Sequence, residues 1–150
     1  MTKYLYFYDY VTHKFKERDF APDTPELPSD YPATEIEPPE EKQFYDRIFE
    51  NGEWQYVLKS EAVIQKTITD AVQAHMDKVA QSKGYDNIFT CIGYANSTVP
   101  SFKAEAEVAI RWRDAVWLKC HELLDKFHAG EIGVMTVDEV IAQLPEINWE

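Results

Sequence analysis

Between Tyr4 and Tyr10 the chain alternates: Tyr4, Tyr6, Tyr8 and Tyr10 fall on one side of an extended backbone, while Leu5 and Phe7 fall on the other. Asp9 to Thr12 offers turn residues, and beyond them Lys14, Lys16 and Arg18 alternate with Phe15 and Glu17. The pattern predicts a β-hairpin over about residues 3–20. A second hairpin is predicted around Asn51-Gly52, which sits between a run with Tyr45, Ile48 and Phe49 and a run with Trp54, Tyr56 and Val57. Asn-Gly accepts the positive φ values of a type I′ turn, so this is the strongest local hairpin signal in the chain. Six of the eight prolines lie between Pro22 and Pro39, where fixed φ and missing N–H groups oppose both helix and central strand. That stretch is predicted to be an extended, solvated connection lying on the β module.

From about Ser60 the hydrophobic period changes to that of a helix. Ile64, Ile68, Val72, His75, Met76 and Val79 recur at helical spacing, and Gly84 supplies a stop after Lys83. A second helix is predicted from Pro100-Ser101 to about His128, with Gly130 just beyond. Its apolar set of Ala106, Ala109, Ile110, Val116, Trp117, Cys120, Leu123, Leu124 and Phe127 forms a broad stripe. Trp112 and Trp117 project about 140° apart, so one of them belongs in the core, and Trp117 is the expected one. Arg113, beside that stripe, calls for a partner such as Asp86 or Asp114. A third, short helix is expected from the capping box Thr136-Val137-Asp138-Glu139 to just before Pro145. The predicted fold class is therefore α+β: a small N-terminal β-hairpin module with a Pro-rich connection, residues 1–58, followed by a three-helix domain, residues 59–150. In that domain two long helices form an antiparallel hairpin closed by the third.

The 150 residues are enough to bury a core without a metal or disulfide staple. Fifteen Lys and Arg against 27 Asp and Glu give a net charge of −12, which opposes binding to a phosphate backbone or an anionic lipid surface. No nucleic-acid partner and no membrane insertion are expected, and no stretch of about 18 apolar residues occurs. Two cysteines, Cys91 and Cys120, make no disulfide framework and are expected to be reduced and packed.

Catalytic and metal chemistry find little support. His75, Cys91, Cys120 and His121 are the nitrogen and sulfur ligands that could meet inside the helical part, but they have no ligand spacing, and adjacent Cys120 and His121 point about 100° apart on a helix. Cys91 lacks a Gly-rich turn for an oxyanion hole, and phosphate-cradling glycine motifs are absent. No catalytic residue, metal or cofactor is expected. Recognition is better represented. The connection from Gly84 to Pro100 interleaves Tyr85, Asp86, Asn87, Tyr94 and Asn96, residue types typical of binding surfaces, in a loop longer than a helical hairpin requires. It reads either as a recognition loop or as a cover for the helix ends. Tyr4, Tyr6, Tyr8, Trp54 and Tyr56 read either as interface anchors or as a core shared by the two hairpins.

The segments YFYDYVTHKF, ATEIEPPEEKQ and RIFENGEWQYV, in that order, resemble the N-terminal part of bacteriophage tail fibre assembly proteins. AHMDKVAQSKGYDNIFTCIGYANS, AEAEVAIRWRDAVWLKC and GVMTVDEVIAQLP resemble a helical domain of small phage tail-associated proteins. The resemblance implies a non-enzymatic tail fibre assembly chaperone or accessory protein that binds the phage tail fibre protein in the host cytoplasm. The alternatives are a structural tail or baseplate component retained on the virion and a small polysaccharide-acting hydrolase. A homo-oligomer also stays open.

Overall fold

A computed structural model describes residues 4–20 and 31–150. It is α+β, as expected: two small antiparallel sheets precede the helices. Strands β1 (Tyr4–Tyr8) and β2 (Phe15–Phe20) form the first hairpin. Its turn is held by Asp9, whose Oδ1 accepts from the N–H groups of Val11 (2.9 Å) and Thr12 (2.7 Å). These two backbone donors, Thr12 foremost, hold the Asp9 carboxyl below the usual aspartate value. The register shifts between Phe7 and Tyr8, and Tyr10 lies in the turn, so the alternation of four tyrosines is not carried through to Tyr10.

The Pro-rich connection, where it is described, lies extended on the β module as expected, and it adds a short edge strand that was not predicted. Residues 21–30 lie outside the described residues, but Ala33–Thr34 form a two-residue strand, β3, that pairs antiparallel with Tyr6 and Phe7 of β1. The sheet order is β2-β1-β3. Thr34 is followed by three residues without proline, and two ladder positions are all this stretch supplies before Pro38.

Strands β4 (Tyr45–Glu50) and β5 (Glu53–Leu58) form the second hairpin around Asn51 (φ 53°) and Gly52 (φ 80°), the left-handed pair that a type I′ turn needs. Phe49 N donates to His13 O at 3.0 Å, joining the two hairpins, and Tyr8, Phe15, Phe49 and Trp54 meet there as rings 5.1 to 6.4 Å apart. The segment 36–40 crosses one face of β4–β5 and is held by side-chain donors. Trp54 Nε1 reaches Ile36 O (2.8 Å), Arg47 Nη1 reaches Pro39 O (3.1 Å) and Tyr56 Oη reaches Glu40 O (2.5 Å). Prolines cannot donate, so a Pro-rich strap is tied down through its carbonyls.

Helix α1 (Glu61–Ser82) starts after Ser60, whose Oγ accepts from Val63 N (3.4 Å). It stops at Gly84 (φ 94°), where Tyr85 N returns to Ala80 O (3.1 Å) in a closure that only a left-handed residue permits cheaply. Helix α3 (Pro100–His128) has the bounds that Pro100 and Gly130 predict. Helix α4 (Val137–Gln143) is capped by Thr136, whose Oγ1 accepts from Glu139 N (3.2 Å).

The expected three-helix count is corrected. The connection between α1 and α3 contains a short helix, α2 (Ile88–Ile92), and a 3₁₀ turn, Gly93–Asn96. Val72, Met76 and Ala80 of α1, Ile88 and Cys91 of α2, Ala109, Trp112 and Val116 of α3, and Val140 with Leu144 form one core. Here too the choice of tryptophan is corrected. Trp112 is the core residue, 5% exposed, with Nε1 donating to Pro145 O at 2.7 Å, whereas Trp117 is half-buried at the core's margin. Both flank the Ala109–Val116 line, and the backbone beyond α4 covers the Trp112 flank. Contacts divide the chain into two compact units, residues 1–64 and 65–150.

Candidate functional site

The sequence-predicted site residues fall into two groups, one in each unit. In the β unit most of them are structural. Tyr6 is buried, 7% exposed, and Tyr8 and Trp54 are half-buried in the ring cluster between the hairpins, so the three do not present a surface. The alternative of a core shared by two hairpins describes them. Tyr4 and Tyr56 are exposed: Arg18 lies over the Tyr4 ring at 4.6 Å, and Lys42 lies 4.4 Å from the Tyr45 ring centre and 5.6 Å from that of Tyr56. Asp46 takes both Lys59 (2.8 Å) and Lys14 (3.1 Å), and the Lys59 bond, then Lys14, holds its carboxyl below the usual value against the opposing effect of burial.

In the helical unit the predicted loop residues sit on built elements. Asn87 is the N-cap of α2: its Oδ1 accepts from Thr90 N (2.9 Å) and from the Thr90 hydroxyl (3.2 Å). Asp86 is exposed and its carbonyl accepts from Gln81 Nε2 (3.0 Å). The start of α2 is also fastened to α1, because Ile88 N donates to Asp77 Oδ1 (3.0 Å). Asn96 is exposed at the end of the 3₁₀ turn.

Tyr85, Tyr94 and Phe102 form a row of rings, with centres 5.8 Å and then 5.5 Å apart. The Tyr85 hydroxyl donates to Glu105 Oε2 at 2.6 Å; burial, and then that carboxylate, push its pKa far above the ordinary tyrosine value. Tyr85 is thus fixed as the neutral inner end of the row. Tyr94 and Phe102 are 39% and 44% exposed, and Phe89 on α2 and Val99 before α3 are exposed as well. Sequence reasoning made none of Phe89, Val99 and Phe102 a site residue. Phe102 stands seven residues before Ala109 and four before Ala106, hence on the same side of α3, but one turn beyond the end of its buried stripe.

The chemistry-bearing groups are dispersed. Among the described residues no group of three or more His, Cys, Asp or Glu is placed to hold a metal ion, and no helix is long and apolar enough to cross a membrane. Cys91 is fully buried and Cys120 half-buried; both thiols are free, and burial pushes both pKa values up, which disfavours the reactive thiolate. Arg113 pairs with its neighbour Asp114 (2.8 Å). An open groove of ≈ 460 Å³ is lined by Ala115, Leu118, Lys119, Glu122, Gln143 and Pro145; its two charged groups, Lys119 and Glu122, bond to each other at 3.3 Å. No family model, curated protein or solved structure matches the chain.

Proposed function

We propose that this chain is a non-enzymatic binding protein that engages a bacteriophage tail fibre protein during assembly in the host cytoplasm, as a tail fibre assembly chaperone. Two things support the reading: the resemblance carried by the N-terminal and helical segments, and the ring row Tyr85–Tyr94–Phe102 with exposed Phe89 and Val99 around it. The row is the observation that carries it on the structural side. Large apolar groups left in water at one end of a well-packed unit favour protein contact. Tyrosine and phenylalanine lose little side-chain freedom on binding. The bond from Tyr85 to Glu105 holds the inner ring in place before any partner arrives.

The test is co-expression with a tail fibre protein of the same phage genome, scored by fibre solubility and by pull-down. Tyr94→Ala and Phe102→Ser should each keep the melting temperature within a few degrees and weaken capture by about 30-fold if the ring is a hot spot. Retention of the fibre by both variants would remove this surface from the reading. Failure of the unaltered chain to bind or solubilise the fibre would remove the reading itself. Recovery of the chain from purified virions would replace the chaperone by a structural tail component.

A further inference from the structure

Strand β5 is the edge of its sheet, and its outward backbone is unpaired among the described residues. The turn settles which groups face outward. Glu50 opposes Glu53 beside the two-residue turn, and Lys59 N donates to Phe44 O at 2.8 Å in the continuing register. Residues 53, 55, 57 and 59 therefore direct their N–H and C=O groups to β4, and Trp54, Tyr56 and Leu58 direct theirs away from it.

Natural sheets guard such edges with charges, prolines or bulges. Strand β2, the outer strand of the other sheet, does so: Lys16, Glu17, Arg18 and Asp19 are four consecutive charges. Strand β5 does not. Its stretch Trp54-Gln55-Tyr56-Val57-Leu58 carries no charge, and Gln55 to Leu58 are all exposed, with Tyr56, Val57 and Leu58 at 41%, 41% and 42%.

We propose that β5 pairs antiparallel with β5 of a second copy of this chain, about a two-fold axis through Tyr56. The free groups limit the register to those in which an outward-facing residue meets an outward-facing residue, and this one does so throughout: Trp54 meets Leu58 of the second copy, Tyr56 meets Tyr56, and Leu58 meets Trp54. The same register sets Glu53 opposite Lys59 of the second copy, twice over by symmetry, on the one face of the strand that both residues share. Charge complementarity thus selects this register from those that the backbone permits. Each copy gains neighbours for Tyr56, Val57 and Leu58, and two β-hairpins become one four-stranded sheet. Six strand residues per copy make an interface smaller than the about 1,200 Å² of stable complexes, so the dimer belongs to the weak, concentration-dependent class.

Sedimentation velocity of the full chain from about 10 μM to about 1 mM, at about 50 mM salt so that exposed charges are not screened away, measures the association. The unaltered chain is expected to pass from monomer to dimer across this range. Glu53→Lys sets two lysine pairs face to face and should weaken the dimer at least about tenfold, and Lys59→Glu should do the same with carboxylates. An equimolar mixture of the two variants restores both opposite-charge pairs and should dimerise as the unaltered chain does. Because Lys59 also bonds Asp46, the melting temperature of Lys59→Glu is recorded, and Leu58→Pro, which removes an outward N–H without touching the β4–β5 ladder, serves as a second block. A monomer at every concentration overturns the proposal. So does a dimer indifferent to Glu53→Lys and Leu58→Pro, or a mixture that fails to recover association.

Discussion

Replacing Trp112 by Phe should destabilise the helical unit far more than the same change at Trp117. The indole of Trp112 is 5% exposed and its Nε1 donates to Pro145 O at 2.7 Å. Phenylalanine deletes that bond, worth about 1 kcal/mol net. It also removes the equivalent of roughly two methylenes of buried surface, about 1.5 kcal/mol at 0.8 kcal/mol each. The sum is about 2.5 kcal/mol. For a unit of the size of residues 65–150, each kcal/mol lowers Tm by about 4–8 °C, so a fall of about 10–20 °C is expected. Trp117 is half-buried and has no hydrogen bond to the protein among the described residues, so Trp117→Phe should cost under about 1 kcal/mol. Circular dichroism at 222 nm follows the helices, and urea titration supplies the free energies. Hydrogen exchange adds a local reading, because the lost bond ties down the backbone just after α4; the amides of Val140 and Leu144 should exchange faster in Trp112→Phe alone. Equal costs at the two positions, or less than about 1 kcal/mol at Trp112, would refute the assignment of the core tryptophan.

Asp46→Asn removes two ion pairs whose lysines are half in solvent, so it should cost about 0.5–1.5 kcal/mol by urea unfolding at pH 7. The native carboxyl titrates below its ordinary 3.8, so its contribution is complete above that value and is lost as the pH falls through the lowered one; the variant's stability should therefore drop less steeply below pH 4. Both thiols should react slowly with Ellman's reagent at pH 8, Cys91 more slowly than Cys120, and Cys91→Ser should cost about 1–3 kcal/mol. A Cys91 that reacts at the rate of a free thiol would contradict its place in the core.

Where backbone chemistry dictates the answer, the sequence was legible. The ends of α3 were readable because Pro100 has the φ of a first helical turn and Gly130 takes a left-handed φ of 74°. The second hairpin was readable for the same kind of reason at Asn51-Gly52. Helix α2 was missed because five residues carry too little periodicity to stand out. The spacing of Asn87 to Thr90, a side-chain cap three residues ahead of its amide, was the signal that could have found it. Strand β3 was missed because two residues among prolines have no pattern at all. The wrong tryptophan was chosen because helical geometry places Trp112 and Trp117 on opposite flanks of one stripe, and which flank is covered depends on where Pro145 arrives, 33 residues away. Among the candidate site residues, alternation put Tyr4, Tyr6 and Tyr8 on one side but could not say that Tyr6 would be enclosed. For Tyr85 and Tyr94 the composition of the loop pointed to two members of the ring row, while Phe102 was hidden in the apolar period of a helix.

The strap over β4–β5 divides its surroundings into positions that can drift and positions that cannot. Ile36, Pro39 and Glu40 each contribute a carbonyl oxygen, which every amino acid possesses, so the fastening is indifferent to what side chains the strap carries. Arg47, Trp54 and Tyr56 contribute the donors, and no other residue type reaches those oxygens with the same length and angle. In a saturation library, residues 36–40 should behave as an interchangeable spacer whose length matters more than its spelling. The information that keeps the strap in place is written on the hairpin beneath it.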